Sequence, residues 1–195
     1  MAKLYFRYSA MNSGKSTSLL QTAYNYEERG MSVIVTKPIV DTKGDSMIVS
    51  RIGTAREVDF LIPPDMDIAH HVRNLSLGSV ACVLVDEAQF LQPQQVDQLF
   101  DVAITDNIPT IAYGLRTDFQ THGFPGATRL LEIAHDLQEL KTICRCGQKA
   151  IFNGRKIGGK LVFEGSQVAI DGQDNVEYES LCGACYKSAQ ANDIL

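Results

Sequence analysis

Short apolar runs alternate with amphipathic segments from the start of the chain to about residue 143, and this alternation constrains the fold most. Runs with the length and the branched residues of strands lie at 4–8, 31–36, 80–85 and 108–113. Apolar residues at helical spacing lie at 15–29, after Asp67, from Pro93 onwards and at 127–137. Strands that alternate with helices predict an α/β fold with a doubly wound, mainly parallel sheet.

The character of the sequence changes after Thr142. From Cys144 onwards glycines are frequent, helix formers are few, and apolar runs such as 161–163 and 177–181 are short. About 50 residues of this kind do not supply a hydrophobic core of ordinary size, so a bound metal is expected to support them. We therefore expect two domains, at residues 1–143 and 144–195.

The composition is that of a globular protein, with 45% hydrophobic residues, 21% charged residues and a net charge of −5. An acidic balance argues against a protein whose main task is to bind nucleic acid through phosphates. No apolar run approaches the roughly 20 residues that span a bilayer, and the first residues do not have the pattern of a signal peptide. We expect a cytoplasmic protein with neither a nucleic-acid partner nor a membrane partner.

A Gly-Lys-Ser-Thr sequence follows the first predicted strand and opens the first predicted helix. Backbone N–H groups of such a loop converge on phosphate oxygens at the positive end of the helix. Lys15 is expected to neutralise the β- and γ-phosphates, and Ser16 to bind Mg²⁺. An ordinary helix start is the alternative, because a bare Gly-Lys-Ser-Thr occurs often by chance. The usual pattern also has Gly where this chain has Ser9. The predicted phosphate loop comprises Ser9, Ala10, Met11, Asn12, Ser13, Gly14, Lys15 and Ser16.

Two acidic residues, Asp86 and Glu87, follow the apolar run at 80–85. At the end of a strand near a phosphate loop, Asp86 would orient the Mg²⁺ shell, and Glu87 would accept a proton from an attacking oxygen. A helix-capping Asp-Glu pair is the alternative. The phosphate loop earlier in the chain favours the nucleotide site.

Four of the five cysteines form two close pairs, Cys144 with Cys146 and Cys182 with Cys185. Two such pairs, far apart in sequence, are what a tetrahedral four-thiolate zinc site requires. Buried thiols or a disulfide are the alternatives, and a cytosolic context favours zinc. Cys82 lies inside an apolar run and is expected to be a core residue.

Four segments, taken with the phosphate loop and the cysteines, follow the order of motifs of one known protein family. They are Lys37-Pro38 followed by Asp41-Thr42-Lys43, Asp86-Glu87-Ala88-Gln89-Phe90, Gly114-Leu115 with Asp118-Phe119, and Val168-x-Ile170-x-Gly172 before Tyr178. With the loop and the cysteines, this set resembles the type II, zinc-containing thymidine kinases in its bacterial form. The chain departs from that family's pattern at Ser9 and Asp171, where Gly is usual, and at Lys43 and Gln120, where Arg is usual.

The resemblance implies a P-loop, RecA-like sheet and a small C-terminal zinc-binding lasso that closes over the nucleoside. It implies transfer of the γ-phosphate of ATP, with Mg²⁺, to the 5′-hydroxyl of thymidine, with Glu87 as the catalytic base. It adds Asp41, Lys43, Asp86 and Gln89 to the ATP and Mg²⁺ site. Nucleoside contacts are implied for Met11, Leu115, Phe119, Val168, Ile170, Gly172 and Tyr178. A homotetramer and feedback inhibition by dTTP are implied as well.

Two other functions fit part of this pattern. A nucleic-acid-coupled ATPase with a zinc ribbon shares the phosphate loop and the carboxylate pair, but the acidic charge and the lack of a basic stripe argue against it. A non-enzymatic zinc-ribbon module leaves both motifs without a purpose. Phosphorylation of free thymidine, compared with DNA-stimulated ATP hydrolysis, distinguishes the kinase from the ATPase.

Overall fold

The structure is a computed structural model that describes residues 1–41, 44–75, 79–167 and 175–193. Its α-helices in this part of the chain are α1 (Lys15–Glu27), α2 (Ile68–Leu75), α3 (Pro93–Thr105), α4 (Pro125–Ile133) and α5 (Gly183–Asp193). The first eight strands are β1 (Leu4–Ser9), β2 (Ser32–Pro38), β3 (Met47–Val49), β4 (Ala55–Glu57), β5 (Phe60–Ile62), β6 (Val80–Val85), β7 (Thr110–Leu115) and β8 (Asp136–Glu139). The last five are β9 (Thr142–Ile143), β10 (Lys149–Ala150), β11 (Phe152–Ile157), β12 (Lys160–Val162) and β13 (Val176–Leu181).

Among the described residues, six strands form one sheet in the order β5–β2–β6–β7–β1–β8, and every neighbouring pair is parallel. From β1 the chain crosses to β2, three strands away, continues outward to β5 and then returns through β6 and β7, which reverses the direction in which the sheet grows. This topology confirms the predicted doubly wound, parallel α/β fold. Ligands of such sheets bind outside the carboxyl ends of the strands at the reversal.

The central strands of this sheet are buried on both faces. Ile34 of β2 and Val83 of β6 pack with α2, α3 and α4, whereas Val33 and Leu84, on the opposite faces of the same strands, pack with α1. Because successive side chains of a strand point to opposite faces, a continuous apolar run is what a sheet covered on both sides requires. Cys82, fully buried in β6, is the core residue that the sequence predicted, and burial raises the pKa of its thiol to about 12.

The predicted helix at 127–137 is wrong at its carboxyl end. Helix α4 ends at Ile133, Ala134 is extended, and Asp136–Glu139 form the edge strand β8 beside β1. His135, which lies within the predicted helix, lies instead in the connection: its N–H donates to the carbonyl of Leu4, and its Nδ1 accepts the N–H of Leu4. The edge of β1 offers backbone hydrogen bonds that a longer helix would leave unmade.

The chain after β8 builds two small antiparallel sheets, β10–β9 and β12–β11–β13. Strands β12 and β13 correspond to the apolar runs predicted at 161–163 and 177–181. A separate hydrophobic cluster covers one face of the β12–β11–β13 sheet, here called the C-terminal sheet, and its buried members are Cys144, Ala150, Leu181, Cys182 and Tyr186.

A further antiparallel hairpin, β3–β4, connects β2 to β5. Within the described part of the chain, no helix has the length and apolar character needed to cross a membrane.

Candidate active site

The phosphate loop joins the end of β1 to the start of α1, as its pattern predicts. Asn12 and Gly14 both have left-handed backbones, with φ of 62° and 79°, a conformation that Asn and Gly tolerate better than other residues. These turns bring the chain back over the strand end, so that α1 begins with its N–H groups facing the loop. An anion at this position meets the positive end of the helix.

Ser9, which stands where the family pattern has Gly, is built into the loop. Its hydroxyl lies 2.5 Å from that of Ser13 and accepts a hydrogen bond from Lys15 Nζ at 3.3 Å. Lys15 is only 8% exposed and also donates to the carbonyl of Ala10 at 3.4 Å. The added hydroxyl therefore holds the lysine ammonium next to the loop.

Asp86 lies beyond the end of β6, against the phosphate loop. Its Oδ2 accepts the Ser16 hydroxyl at 2.9 Å, and its Oδ1 accepts the N–H of Glu87 at 3.0 Å. Burial, aided by the charge of Glu87, raises the pKa of the Asp86 carboxyl to about 7, although the hydrogen bond from Ser16 and the charge of Lys15 act in the opposite direction. A hydroxyl and a carboxylate held together are oxygen donors of the kind that Mg²⁺ prefers, so this pair fits the ion.

Glu87 is half-buried at the cavity, with a left-handed backbone of φ 48°. Its Oε2 accepts the side-chain amide of Gln89 at 2.5 Å, and Gln89 Oε1 in turn accepts the N–H of Leu115 at 3.0 Å. A Cβ on Gly114 would lie 2.8 Å from Gln89 Oε1, so only glycine permits this approach. Gln89 is therefore fixed by β7, and it orients the carboxylate of Glu87.

Glu87 and most of the phosphate loop line a cavity of about 250 Å³, whereas Ser9, Asp86 and Gln89 are not among its lining residues. Its lining residues are Met11, Asn12, Ser13, Gly14, Lys15, Ser16, Thr17, Val49, Ser50, Arg51, Ile52, Glu87 and Leu115. The cavity thus unites most of the predicted phosphate loop with the predicted base and with Leu115. The end of β3 and the turn that leads to β4, which were not predicted, also line the cavity through residues 49–52.

Asp41 is held by Lys37 at the end of β2. Its Oδ2 pairs with Lys37 Nζ at 2.9 Å, and the fully buried Lys37 also donates to the carbonyl of Met47 at 3.1 Å. Among the described residues, Asp41 is not one of those that line the cavity. Lys43, the other residue predicted from this segment, lies outside the described residues.

A second cluster gathers the aromatic residues predicted to contact a nucleoside. The buried guanidinium of Arg155 lies over the ring of Phe119, 3.7 Å from its centroid, and Arg155 Nε donates to the hydroxyl of Tyr178 at 3.0 Å. The same guanidinium donates to the carbonyls of Ser166 and Gln167. Arg155 therefore fixes the two aromatic rings and the backbone carbonyls of Ser166 and Gln167.

This cluster adjoins the phosphate loop, because the side-chain amide of Asn12 donates to the carbonyl of Tyr178 at 3.3 Å. Three further residues predicted to contact the nucleoside, Val168, Ile170 and Gly172, lie outside the described residues.

The four sulfurs of Cys144, Cys146, Cys182 and Cys185 lie within 4.8 Å of one another. Sulfurs bound to one tetrahedral zinc are about 3.8 Å apart, and those of Cys146 and Cys182 are 3.6 Å apart. Desolvation raises the pKa of the Cys144 thiol, but backbone and side-chain hydrogen bonds from the other three cysteines outweigh it and lower the value to about 7. Side-chain hydrogen bonds within the same cluster raise the pKa of the Cys185 thiol to about 12. Four thiols of this spacing fit a zinc ion.

A match to known sequences settles the classification. A family model described as thymidine kinase matches residues 2–186. The chain belongs to the thymidine kinase family.

Curated bacterial thymidine kinases are similar over nearly their whole length. The one from Chromobacterium violaceum is 50% identical over 188 residues, which cover 95% of this chain and 98% of the relative. That from Ruegeria pomeroyi is 48% identical over 192 residues, with coverages of 97% and 96%. That from Haemophilus influenzae is 50% identical over 190 residues, with coverages of 96% and 97%. The chain is thus a member of a phosphotransferase family.

The residues at this candidate site that were not predicted include Arg51, Asn153, Arg155 and Ser180. Arg51 lies in a short hairpin with no motif. Asn153 and Arg155 alternate along β11, and two buried polar residues on one face of a strand are the signal that could have identified them. Ser180 lies directly opposite Asn153 on β13, which only the strand pairing reveals.

Proposed function

We propose that this protein transfers the γ-phosphate of ATP to the 5′-hydroxyl of thymidine, giving dTMP and ADP. The main support is the position of Glu87 in the same cavity as the phosphate loop, in a chain of the thymidine kinase family. The shared name of the bacterial relatives supports thymidine as the acceptor.

ATP binds with its triphosphate on the phosphate loop. The N–H groups at the start of α1 and the Lys15 ammonium neutralise charge on the phosphates, with Ser9 holding the ammonium beside the loop. Ser16 and Asp86 would hold a Mg²⁺ ion, which neutralises further charge on the transferred group when it is bound. Asp41 and Lys43 are proposed to belong to the same site on the family resemblance alone.

Glu87 acts as the general base. It accepts the proton of the 5′-hydroxyl while that oxygen attacks the γ-phosphorus in line with the departing ADP oxygen. Gln89 keeps the carboxylate aimed into the cavity, since its own amide is held by the N–H of Leu115. Orientation of this kind contributes to the rate because it removes the entropy cost of finding the reactive geometry.

The thymidine base lies beside the aromatic cluster of Phe119 and Tyr178 and under the lasso, the segment of residues 147–181. Phe119 and Tyr178 face the nucleoside, Met11 and Leu115 line its other side, and Val168, Ile170 and Gly172 are proposed to close over it. Cys144, Cys146, Cys182 and Cys185 would hold a zinc ion, which cross-links the two ends of this segment when it is bound.

Several further features follow from the family resemblance and are proposed with it. The chain divides into a nucleotide-binding domain at 1–143 and a zinc-binding lasso domain at 144–195, which the separate C-terminal hydrophobic cluster supports. It acts in the cytoplasm as a homotetramer, and dTTP inhibits it.

Phosphate transfer from γ-labelled ATP to a panel of free nucleosides tests the proposal. Backbone N–H and C=O groups have fixed polarity, so a lasso that matches thymine leaves groups unpaired against cytosine at about 1–3 kcal/mol each. Thymidine and deoxyuridine should therefore accept the label, and deoxycytidine and purine nucleosides should not. Equal labelling of deoxycytidine, or ATP hydrolysis that depends on added DNA, would contradict the proposal.

A further inference from the structure

Two side chains of the C-terminal sheet hold the backbone of Met11 in the phosphate loop. Asn153 Oδ1 accepts the N–H of Met11 at 2.7 Å, and the Ser180 hydroxyl donates to the carbonyl of Met11 at 2.5 Å. Asn153 and Ser180 are 2% and 5% exposed, and they lie directly opposite each other in the β11–β13 pairing. Opposite residues of antiparallel strands share a face, so the register brings an acceptor and a donor to one residue.

Asn153 also bonds to a second part of the chain. The side-chain amide of Asn153 donates to the carbonyl of Thr117 at 2.7 Å, which ties β11 to the chain that follows β7. The next loop residue, Asn12, donates from its side chain to the carbonyl of Tyr178, and its own carbonyl accepts the Thr142 hydroxyl at 3.2 Å. Two consecutive loop residues are thus held by the C-terminal part of the chain.

These contacts bear on phosphate binding, because a loop of this kind binds through its backbone. The N–H groups must point at the phosphate oxygens, and their directions are set by the peptide planes on either side. Both Met11 and Asn12 line the cavity with Lys15. A loop that is already fixed pays less ordering entropy when the triphosphate binds, so its affinity is higher.

We propose that Asn153 and Ser180 form a positioning pair for the phosphate loop, through which the C-terminal sheet sets the affinity for ATP. The part of the chain that covers the nucleoside therefore also tunes the binding of the phosphate donor. Ser180 lies two residues before Cys182, so the four-cysteine cluster anchors one strand of the pair. This inference rests on the proposed function in taking ATP as the ligand of the loop and a nucleoside as the ligand that the C-terminal part of the chain covers.

Calorimetric titration of the full chain with ATP and Mg²⁺, without any nucleoside, tests the pair. Ser180→Ala removes one hydrogen bond to the loop and should raise the Kd for ATP roughly 3- to 10-fold. Asn153→Ala removes two bonds and should raise it further. Ser180→Thr retains the hydroxyl and should restore an affinity close to that of the wild type.

Lys156→Gln is the matched control. Lys156 lies on β11 near Asn153, and its ammonium pairs with Glu179 of β13 at 2.7 Å, so its loss perturbs the same strand pair without removing a bond to Met11. Its Kd for ATP should stay within twofold of the wild type. A change as large as that of Ser180→Ala would overturn the proposal, because any damage to the sheet would then have the same effect.

An unchanged Kd for ATP in Ser180→Ala would also overturn the proposal. If Asn153→Ala does not fold, Ser180→Ala still decides the question, since it removes only a hydroxyl. The proposed function fails in a different way: a wild-type protein that binds ATP but does not phosphorylate thymidine contradicts that function, while the comparison of ATP affinities keeps its meaning.

Discussion

Replacing Asp86 with Asn should stabilise the ligand-free protein while it removes the carboxylate proposed to hold Mg²⁺. The ordinary pKa of an aspartate is 3.8, and burial, aided by the charge of Glu87, raises that of Asp86 to about 7. Asparagine has the same shape. Its Oδ1 can accept the N–H of Glu87, and its amide can donate to the Ser16 hydroxyl, so both neighbours of Asp86 keep a partner.

The size of the effect follows from the two pKa values. A difference of one between the folded and unfolded pKa is worth 1.36 kcal/mol, so the rise from 3.8 to about 7 costs the ionised native state about 4 kcal/mol. The contribution of Asp86 to the stability of the native state is fully present below pH 4, where the carboxyl is protonated in both the folded and the unfolded protein. That contribution is lost as the pH rises from about 4 to about 7, because over this range the unfolded carboxyl ionises in water while the buried native carboxyl keeps its proton.

Thermal unfolding of wild type and Asp86→Asn from pH 4 to pH 8, without nucleotide, measures this. At pH 8 the melting temperature of the variant should exceed that of the wild type by roughly 5–15 °C, and the difference should vanish towards pH 4. Asp65→Asn, at an exposed position, should change nothing. A variant less stable than the wild type at pH 8, or a difference that does not depend on pH, would refute the reasoning.

The same thermal unfolding is then measured for both proteins with Mg²⁺ and ATP added. A ligand at 100 times its Kd stabilises the native state by about 2.7 kcal/mol, and the wild type should show a gain of this order. Asp86→Asn should gain much less, because its amide cannot replace the anionic oxygen. An equal gain in both proteins would remove Asp86 from the proposed magnesium site.

Two further predictions concern the C-terminal part of the chain. Elemental analysis should find one zinc per chain, and Cys82→Ala should retain it, since Cys82 is a core residue of the parallel sheet; a folded protein free of metal would contradict the four-thiolate site. Arg155→Met should raise the KM for thymidine roughly 10- to 100-fold, because it removes charge-assisted bonds to Tyr178 and to the carbonyls of Ser166 and Gln167. A defect of Arg155→Met confined to the KM for ATP would contradict the position of the nucleoside beside Phe119 and Tyr178.

The parallel sheet could be predicted because its buried strands are short, apolar and rich in branched residues. The edge strand β8 could not, since Asp136, Gln138 and Glu139 are polar and the apolar spacing of α4 continues to Leu137. An edge strand has one neighbour and is largely exposed, so its composition carries little signal. Its pairing with β1 decides the conformation, and that pairing is a contact between distant parts of the chain.

The same distinction applies to the site. The phosphate loop, the Asp86–Glu87 pair and the cysteine pairs are local patterns, and the structure brings each set together. Asn153, Ser180 and Arg155 act across more than 20 residues of chain, so no short pattern marks them. Their roles follow from the antiparallel register of β11 and β13, which sequence spacing alone does not determine.

The most direct test of the proposed chemistry is a comparison of wild type with Glu87→Gln, in which ATP binding, thymidine binding and phosphate transfer are each measured. The amide keeps the shape of the carboxylate but cannot accept the 5′-hydroxyl proton. We predict dissociation constants within about threefold of the wild type and a transfer rate that falls by roughly 10²–10⁴. A Glu87→Gln protein that transfers phosphate at close to the wild-type rate would contradict the role of Glu87 as the base.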